Sequence, residues 1–133
     1  MTVAPGTDGE GLTDRSNFRM MRLAAYLQRI PNAIPAARPW SRGLPARSVF
    51  EMATVNGAKA FRRDEIGQLH PGYRADLLLP ERETDGMLYL WPGHDPYAMA
   101  LSEGGTDHID MVVSRGRVSL DGGRIVTVDE ARE

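Results

Sequence analysis

The sequence predicts an α/β chain that forms the closing part of a larger body, and three observations carry that expectation. A short apolar run, Val3-Ala4-Pro5, leads into a tight Gly6-Thr7-Asp8-Gly9 turn and reads as the end of one strand. Two helical stretches follow it. Beyond residue 65 the pattern is that of strands. A self-contained α/β domain would alternate strands and helices several times.

Composition narrows the options. A chain of 133 residues is enough for one small domain with a modest core. The apolar fraction of 41% and the charged fraction of 26% are those of an ordinary globular protein. A formal net charge of −2 gives no bulk attraction to nucleic acid or to an anionic membrane. No apolar stretch approaches the ~20 residues that span a bilayer. The N-terminus does not resemble a signal peptide, so a cytoplasmic location is expected. Cysteine is absent, which excludes disulfides, thiol nucleophiles and cysteine-ligated metal. Stability therefore has to come from packing, within this chain or against another.

The elements follow in order. Asp8 stands at a strand end, where α/β scaffolds hold site residues rigidly while loops shape the cavity. From Ser16 to Ile30 the pattern is helical, with Ser16 or Asp14 as N-cap and Pro31 as the stop. Met20, Leu23, Ala24, Leu27 and Ile30 recur at three- and four-residue spacing and predict a buried stripe. Arg15, Arg19, Arg22 and Arg29 share another face, which could grip phosphates but suits a solvated helix surface better. Residues 31–45 carry four prolines and Trp40 and predict a loop, either a pocket wall or a connector anchored by Trp40. A second helical stretch covers Ala46 to Phe61, burying Val49, Met52, Ala53, Ala60 and Phe61, with Asn56-Gly57 as the break.

His70-Pro71-Gly72-Tyr73 then predicts a type II turn, because proline sets the first φ and glycine accepts the positive second one. Ala75 to Leu79 reads as a buried strand, and Met87 to Leu90 as another. The C-terminus predicts a meander of Met111–Ser114, Arg117–Leu120 and Arg124–Val128, turning at Arg115-Gly116 and Asp121-Gly122-Gly123.

Several segments together resemble a known family. They are Gly6-Thr7-Asp8-Gly9, Met21-Arg22-Leu23-Ala24-Ala25, Glu51 to Ala58, Ile66 to Leu77, His94-Asp95-Pro96 and the closing hairpins. In this order the chain resembles the C-terminal third of a metal-dependent amidohydrolase, in the deaminase and chlorohydrolase branch that includes guanine, cytosine and S-adenosylhomocysteine deaminases and triazine hydrolases. The stretch Gly-x-Leu-x-Pro-Gly-x-x-Ala-Asp-Leu, residues 67–77, makes the resemblance specific.

That resemblance implies a (β/α)8 barrel with a small β-rich composite sandwich built from both ends of the chain. Residues 1–65 would be the last strand end and helices of the barrel. Residues 66–133 would be the β-rich C-terminal segment. It implies hydrolysis of a non-peptide carbon–nitrogen bond on a small heterocyclic substrate, using one divalent metal, zinc or iron. Such a metal lowers the pKa of bound water toward ~7. Asp8 occupies the position of the family's catalytic aspartate, which ligates the metal and carries the proton from water to leaving group. The segment between Gly9 and Ser16 departs from the family pattern by lacking a Ser-Asn pair soon after the motif.

The family's other ligands are histidines of earlier strands. Here the histidines are His70, His94 and His108, all in expected turns or loops after the barrel portion. A catalytic zinc takes about three protein ligands plus water, and this sequence supplies one that matches, Asp8. The expectation is therefore an amidohydrolase portion that is inactive and metal-free by itself. It would be completed by an N-terminal barrel portion or by association with further copies. A non-catalytic, partner-binding remnant and a small independent enzyme are the alternatives. The second of these would leave apolar helix faces bare.

Overall fold

The computed structural model describes residues 2–7, 16–28, 43–81, 93–102 and 104–128. Asp8 and Gly9 of its turn, Asp14, Arg15, Arg29, Ile30, residues 31–42 of the proline-rich loop with Trp40 and the expected strand at Met87–Leu90 lie outside the described residues.

The chain is mixed α/β. Helix α1 (Asn17–Leu27), α2 (Ala46–Ala53), α3 (Val55–Ala60) and α4 (Pro96–Ser102) accompany one antiparallel sheet. Its strands are β1 (Leu77–Pro80), β2 (Ile109–Ser114), β3 (Arg117–Asp121) and β4 (Arg124–Ile125), in the order β1-β2-β3-β4. Helix α4 and a 3-10 turn at Thr106–His108 interrupt the run of strands expected after residue 65. The overlooked signal was an N-terminal one: Asp95 precedes Pro96, and its Oδ1 accepts the backbone N–H of Tyr97 at 3.0 Å.

The core is helical. Met21 and Ala25 of α1, Val49 of α2 and Leu101 of α4 are buried together, with Phe18, Ala24, Leu44, Ala46, Phe50 and Ala53 packed around them. Removing a Val, Leu or Met side chain from water stabilises by about 1.5–3 kcal/mol. The buried face of α1 is thus centred on Met21 and Ala25, with Ala24 beside them, rather than on the expected stripe. Leu23 and Leu27 are about half exposed. The reason is that α2 and α4 both pack on the Met21 side, and nothing among the described residues covers the other.

Arg22 fixes that arrangement. Its Nε donates to the Leu101 carbonyl at 2.9 Å and its Nη2 to the Gly104 carbonyl at 2.8 Å. The guanidinium therefore satisfies carbonyls at the C-terminal end of α4, where a cation also suits the helix dipole. Neither a phosphate grip nor a solvated face describes Arg22. Gly104 is buried there, and a Cβ at this position would overlap the Ala100 carbonyl and stand 2.8 Å from Phe18 Cδ1.

The second helical stretch breaks at Thr54, two residues before the expected Asn56-Gly57. Thr54 adopts φ −119° and ψ −86°, and its hydroxyl donates to the Phe50 carbonyl at 2.9 Å. A side chain that bonds back to the preceding turn competes with helix propagation. Asn56 lies inside α3. Ala60 and Phe61 are exposed, Phe61 by 81%, so the expected buried face ends with Ala58.

The turns fall where they are expected. Tyr73 N–H bonds the His70 carbonyl at 3.0 Å with Gly72 at φ 88°. Arg115-Gly116 and Gly122-Gly123 both have two consecutive positive φ values, the two-residue hairpin geometry that matches strand twist. Arg115 is a non-glycine residue at φ 52°, which costs about 1–2 kcal/mol. The carboxylate of Asp76 offsets that cost by accepting the Arg115 N–H at 2.7 Å, while Ala75 accepts from Gly116 at 2.8 Å.

The strand at 77–80 is not buried, contrary to its apolar reading. Leu78 is 57% and Leu79 41% exposed. Leu78, Val112, Leu120 and Ile125 pair across the sheet and share one face. No second layer covers that face among the described residues. β4 is only two residues, and 126–128 continue as bends rather than strand.

Candidate active-site segment

The N-terminal segment carries the candidate chemistry. Residues 2–7 have no regular secondary structure, although the sequence reads as a strand end. A strand needs a neighbour with which to exchange ladder hydrogen bonds, and the described residues place none beside it. Pro5 also lacks the N–H that such a ladder would use.

α3 contacts this segment at one point. The Asn56 side-chain Nδ2 donates to the Val3 carbonyl at 3.0 Å, across 53 residues of sequence. α3 is itself braced. Ala58 is buried, and its N–H bonds the Thr54 carbonyl at 3.0 Å. Gly67 closes over the same turn at φ +82°, so near that a Cβ would stand 2.9 Å from the Thr54 carbonyl oxygen and 3.0 Å from Ala58 Cβ. The sequence suggested a helix break at Asn56. Its service to the N-terminal segment left no local signal, because the acceptor is a backbone carbonyl that any residue supplies.

The histidines are scattered. His70 is exposed in its turn, with its ring 5.0 Å from that of Tyr73 and Nδ1 2.9 Å from the Pro71 carbonyl. His94 is exposed ahead of α4. His108 is partly buried in the 3-10 turn, and its Nδ1 has no hydrogen-bond partner among the described residues. No group of three His, Cys, Asp or Glu side chains gathers among the described residues. That donor set does not fit a divalent metal.

A cavity of about 220 Å³ opens between α1, the start of α2 and α4, with Tyr26, Leu44 and Met99 in its wall. Arg22 borders it, but its guanidinium is occupied by the two carbonyls of the α4 end. The cavity is a gap in helix packing and holds none of the histidines. No helix among the described residues is long and apolar enough to cross a membrane.

Comparison with known proteins gives a consistent result. Residues 1–118 match the family model described as "Amidohydrolase family". A 5-methylthioadenosine/S-adenosylhomocysteine deaminase of Pyrococcus horikoshii is 32% identical over 99% of this chain, which spans 29% of that protein. A 5'-deoxyadenosine deaminase of Methanosarcina mazei is 34% identical over 99% of this chain and 28% of its own length. Among solved structures, a variant of the atrazine chlorohydrolase of Arthrobacter aurescens, complexed with zinc and atraton, superposes with a TM-score of 0.79. It is 31% identical, with 99% of this chain and 28% of that one covered. The chain thus spans a little over a quarter of the length of the relatives it matches.

Proposed function

The chain belongs to the amidohydrolase family, and from that premise we propose that it forms the C-terminal portion of an enzyme that hydrolyses a carbon–nitrogen bond on a small heterocyclic substrate. The observation that carries this reading is the family match over residues 1–118 together with the deaminase relatives. An adenosine derivative with a modified 5' position is the substrate class those relatives favour.

In this reading residues 1–65 complete a (β/α)8 barrel, and residues 66–133 add the β-rich segment of a composite domain. The incompletely covered apolar face of the sheet, with Leu78 and Ile125 exposed, suits such a segment, since it would pack against strands from elsewhere in the enzyme. Asp8 is the catalytic carboxylate. It has one oxygen to offer a divalent metal and another to hold a proton between water and leaving group. The described residues do not supply the remaining ligands, so those come from the other barrel strands.

A chimera tests the proposal. This chain replaces the matching C-terminal segment of the Pyrococcus horikoshii deaminase, and ammonia release from 5-methylthioadenosine is measured. Activity is expected, and Asp8→Asn is expected to abolish it. An inactive but folded chimera, or an active Asp8→Asn variant, overturns the reading. This chain alone is expected to bind no stoichiometric zinc or iron. One ion per chain, lost in Asp8→Asn, would contradict that.

A further inference from the structure

We propose that Asn56-Gly57 is a self-modifying site, where the side-chain amide of Asn56 is converted to an acid through a succinimide at a rate gated by local opening of α3. The inference goes beyond the proposed function and does not rest on it. Asn17 is followed by Phe18 and Asn32 by Ala33, whereas Asn56 is followed by a glycine. A residue without Cβ lets its backbone nitrogen come close to the preceding side chain. A Cβ built on Gly57 would meet nothing within 4 Å, so the space beside it is open.

The nucleophile is the Gly57 backbone nitrogen. Gly57 lies in the first turn of α3, where N–H groups lack an intrahelical acceptor. Thr54, at the N-cap, makes no side-chain bond to them, because its hydroxyl donates to the Phe50 carbonyl instead. The electrophile is Cγ of Asn56, on a partly exposed residue.

The Gly57 nitrogen bonds to Cγ and loses its proton. The Cγ–Nδ2 bond breaks, and Nδ2 takes up that proton and leaves as ammonia. Solvent water then opens the five-membered ring at either carbonyl, giving an aspartyl or isoaspartyl residue at position 56. The departing nitrogen is the one that donates to the Val3 carbonyl, so that bond is lost with it.

Ring closure brings the Gly57 nitrogen into line with Asn56 Cβ, which needs a ψ outside the helical range. Folded α3 therefore withholds the reaction, and opening releases it. α3 has six residues, well short of the ~12–15 at which an isolated helix becomes marginal. Gly57 within it loses more conformational freedom on folding than any other residue type would. Ala58 is its buried residue. The turn is held closed by Gly67, whose φ of +82° sets it so near that a Cβ would stand 2.9 Å from the Thr54 carbonyl oxygen.

The test incubates the full chain at mildly alkaline pH and follows amide-to-acid conversion by mass spectrometry of the peptide containing Asn56. Asp-Gly pairs such as Asp121-Gly122 can isomerise, but they release no ammonia and leave this reading untouched. Conversion is expected at Asn56 and not at Asn17, more slowly in the folded chain than in urea-unfolded chain, and lost in Gly57→Ala. No conversion in the folded chain while the unfolded chain reacts overturns the site, as does conversion undiminished in Gly57→Ala.

Two further measurements examine the gate. Gly67→Ala puts a side chain at positive φ against the Thr54 carbonyl and is expected to speed conversion roughly tenfold. Urea below the unfolding transition is expected to leave the rate nearly flat, because a local opening exposes little surface. A folded Gly67→Ala variant that converts at the parent rate overturns the gate. So does a rate that rises with urea in step with the unfolded fraction, and this measurement decides alone if Gly67→Ala fails to fold.

Discussion

The helical cluster and the sheet are held together in different ways. α1, α2 and α4 meet through side chains: Met21, Ala25, Val49 and Leu101 are all buried. The sheet is held by its backbone and its turns. Two hairpins with paired positive φ values, the Asp76 bond to Arg115 N–H and the Ser119 hydroxyl bond to the Val112 carbonyl set its register. Several of its apolar side chains stay exposed, among them Leu78, Leu79, Val118 and Ile125, and none is fully buried. A layer can thus be fully specified by local hydrogen bonding and still lack the burial that stabilises it, because burial needs a second layer.

Mirror-image substitutions give the largest contrast. Val49 is 1% exposed, so Val49→Asp buries a charge with no partner and is expected to abolish cooperative unfolding of the helical cluster. Leu78→Asp, at a site 57% exposed, is expected to change stability by less than about 0.5 kcal/mol while reducing self-association in gel filtration. Equal thermal shifts for the two would break the distinction. A sharp monomeric peak for the unsubstituted chain would likewise argue that the sheet face needs no cover.

Met21→Ala comes next, with an expected loss of about 2–5 kcal/mol from the emptied volume, read from urea midpoints. Two changes at the α4 end should follow. Arg22→Met removes both bonds to the Leu101 and Gly104 carbonyls and is expected to cost about 1.5–3 kcal/mol. Gly104→Ala drives a methyl group into the Ala100 carbonyl and Phe18 and should cost about 1–3 kcal/mol. Losses that stay near zero at both positions would show that α4 docks by Leu101 alone.

Asp76→Ala acts on the sheet instead. It strips the acceptor from a residue at φ 52°, and about 1 kcal/mol is expected. Hydrogen exchange should rise in β2 and β3 and not in α1, which sharpens the separation of the two regions. The smallest effect belongs to Arg47. Its guanidinium pKa is raised, first by the 2.9 Å hydrogen bond to Glu51, then by the charges of Tyr97 and Glu51. A raised folded-state pKa stabilises below the unfolded value, and the contribution is lost as pH rises through the folded one. That window lies above the usual arginine range, so Arg47→Met should leave the shape of the stability profile around neutrality unchanged.

The sequence by itself determined the local chemistry of this protein. Pro71-Gly72, Gly116 and Gly122-Gly123 turn the chain where they do because φ preference belongs to the residue. Helical spacing located α1 and α2, and the motifs around Asp8 and residues 67–77 were enough to indicate the family. Tertiary structure decided which faces those elements bury. Periodicity marks several apolar rows on α1, and only the docking of α2 and α4 selected Met21 and Ala25 over Leu23 and Leu27. An apolar run at 77–79 reads as buried because hydrophobicity is local, whereas the layer that would cover it is not. Arg22 and Asn56 were legible as a charge and a helix breaker. Their bonds to Leu101, Gly104 and Val3 span 53 to 82 residues, and backbone carbonyls leave no mark in a sequence to show which side chain they will meet.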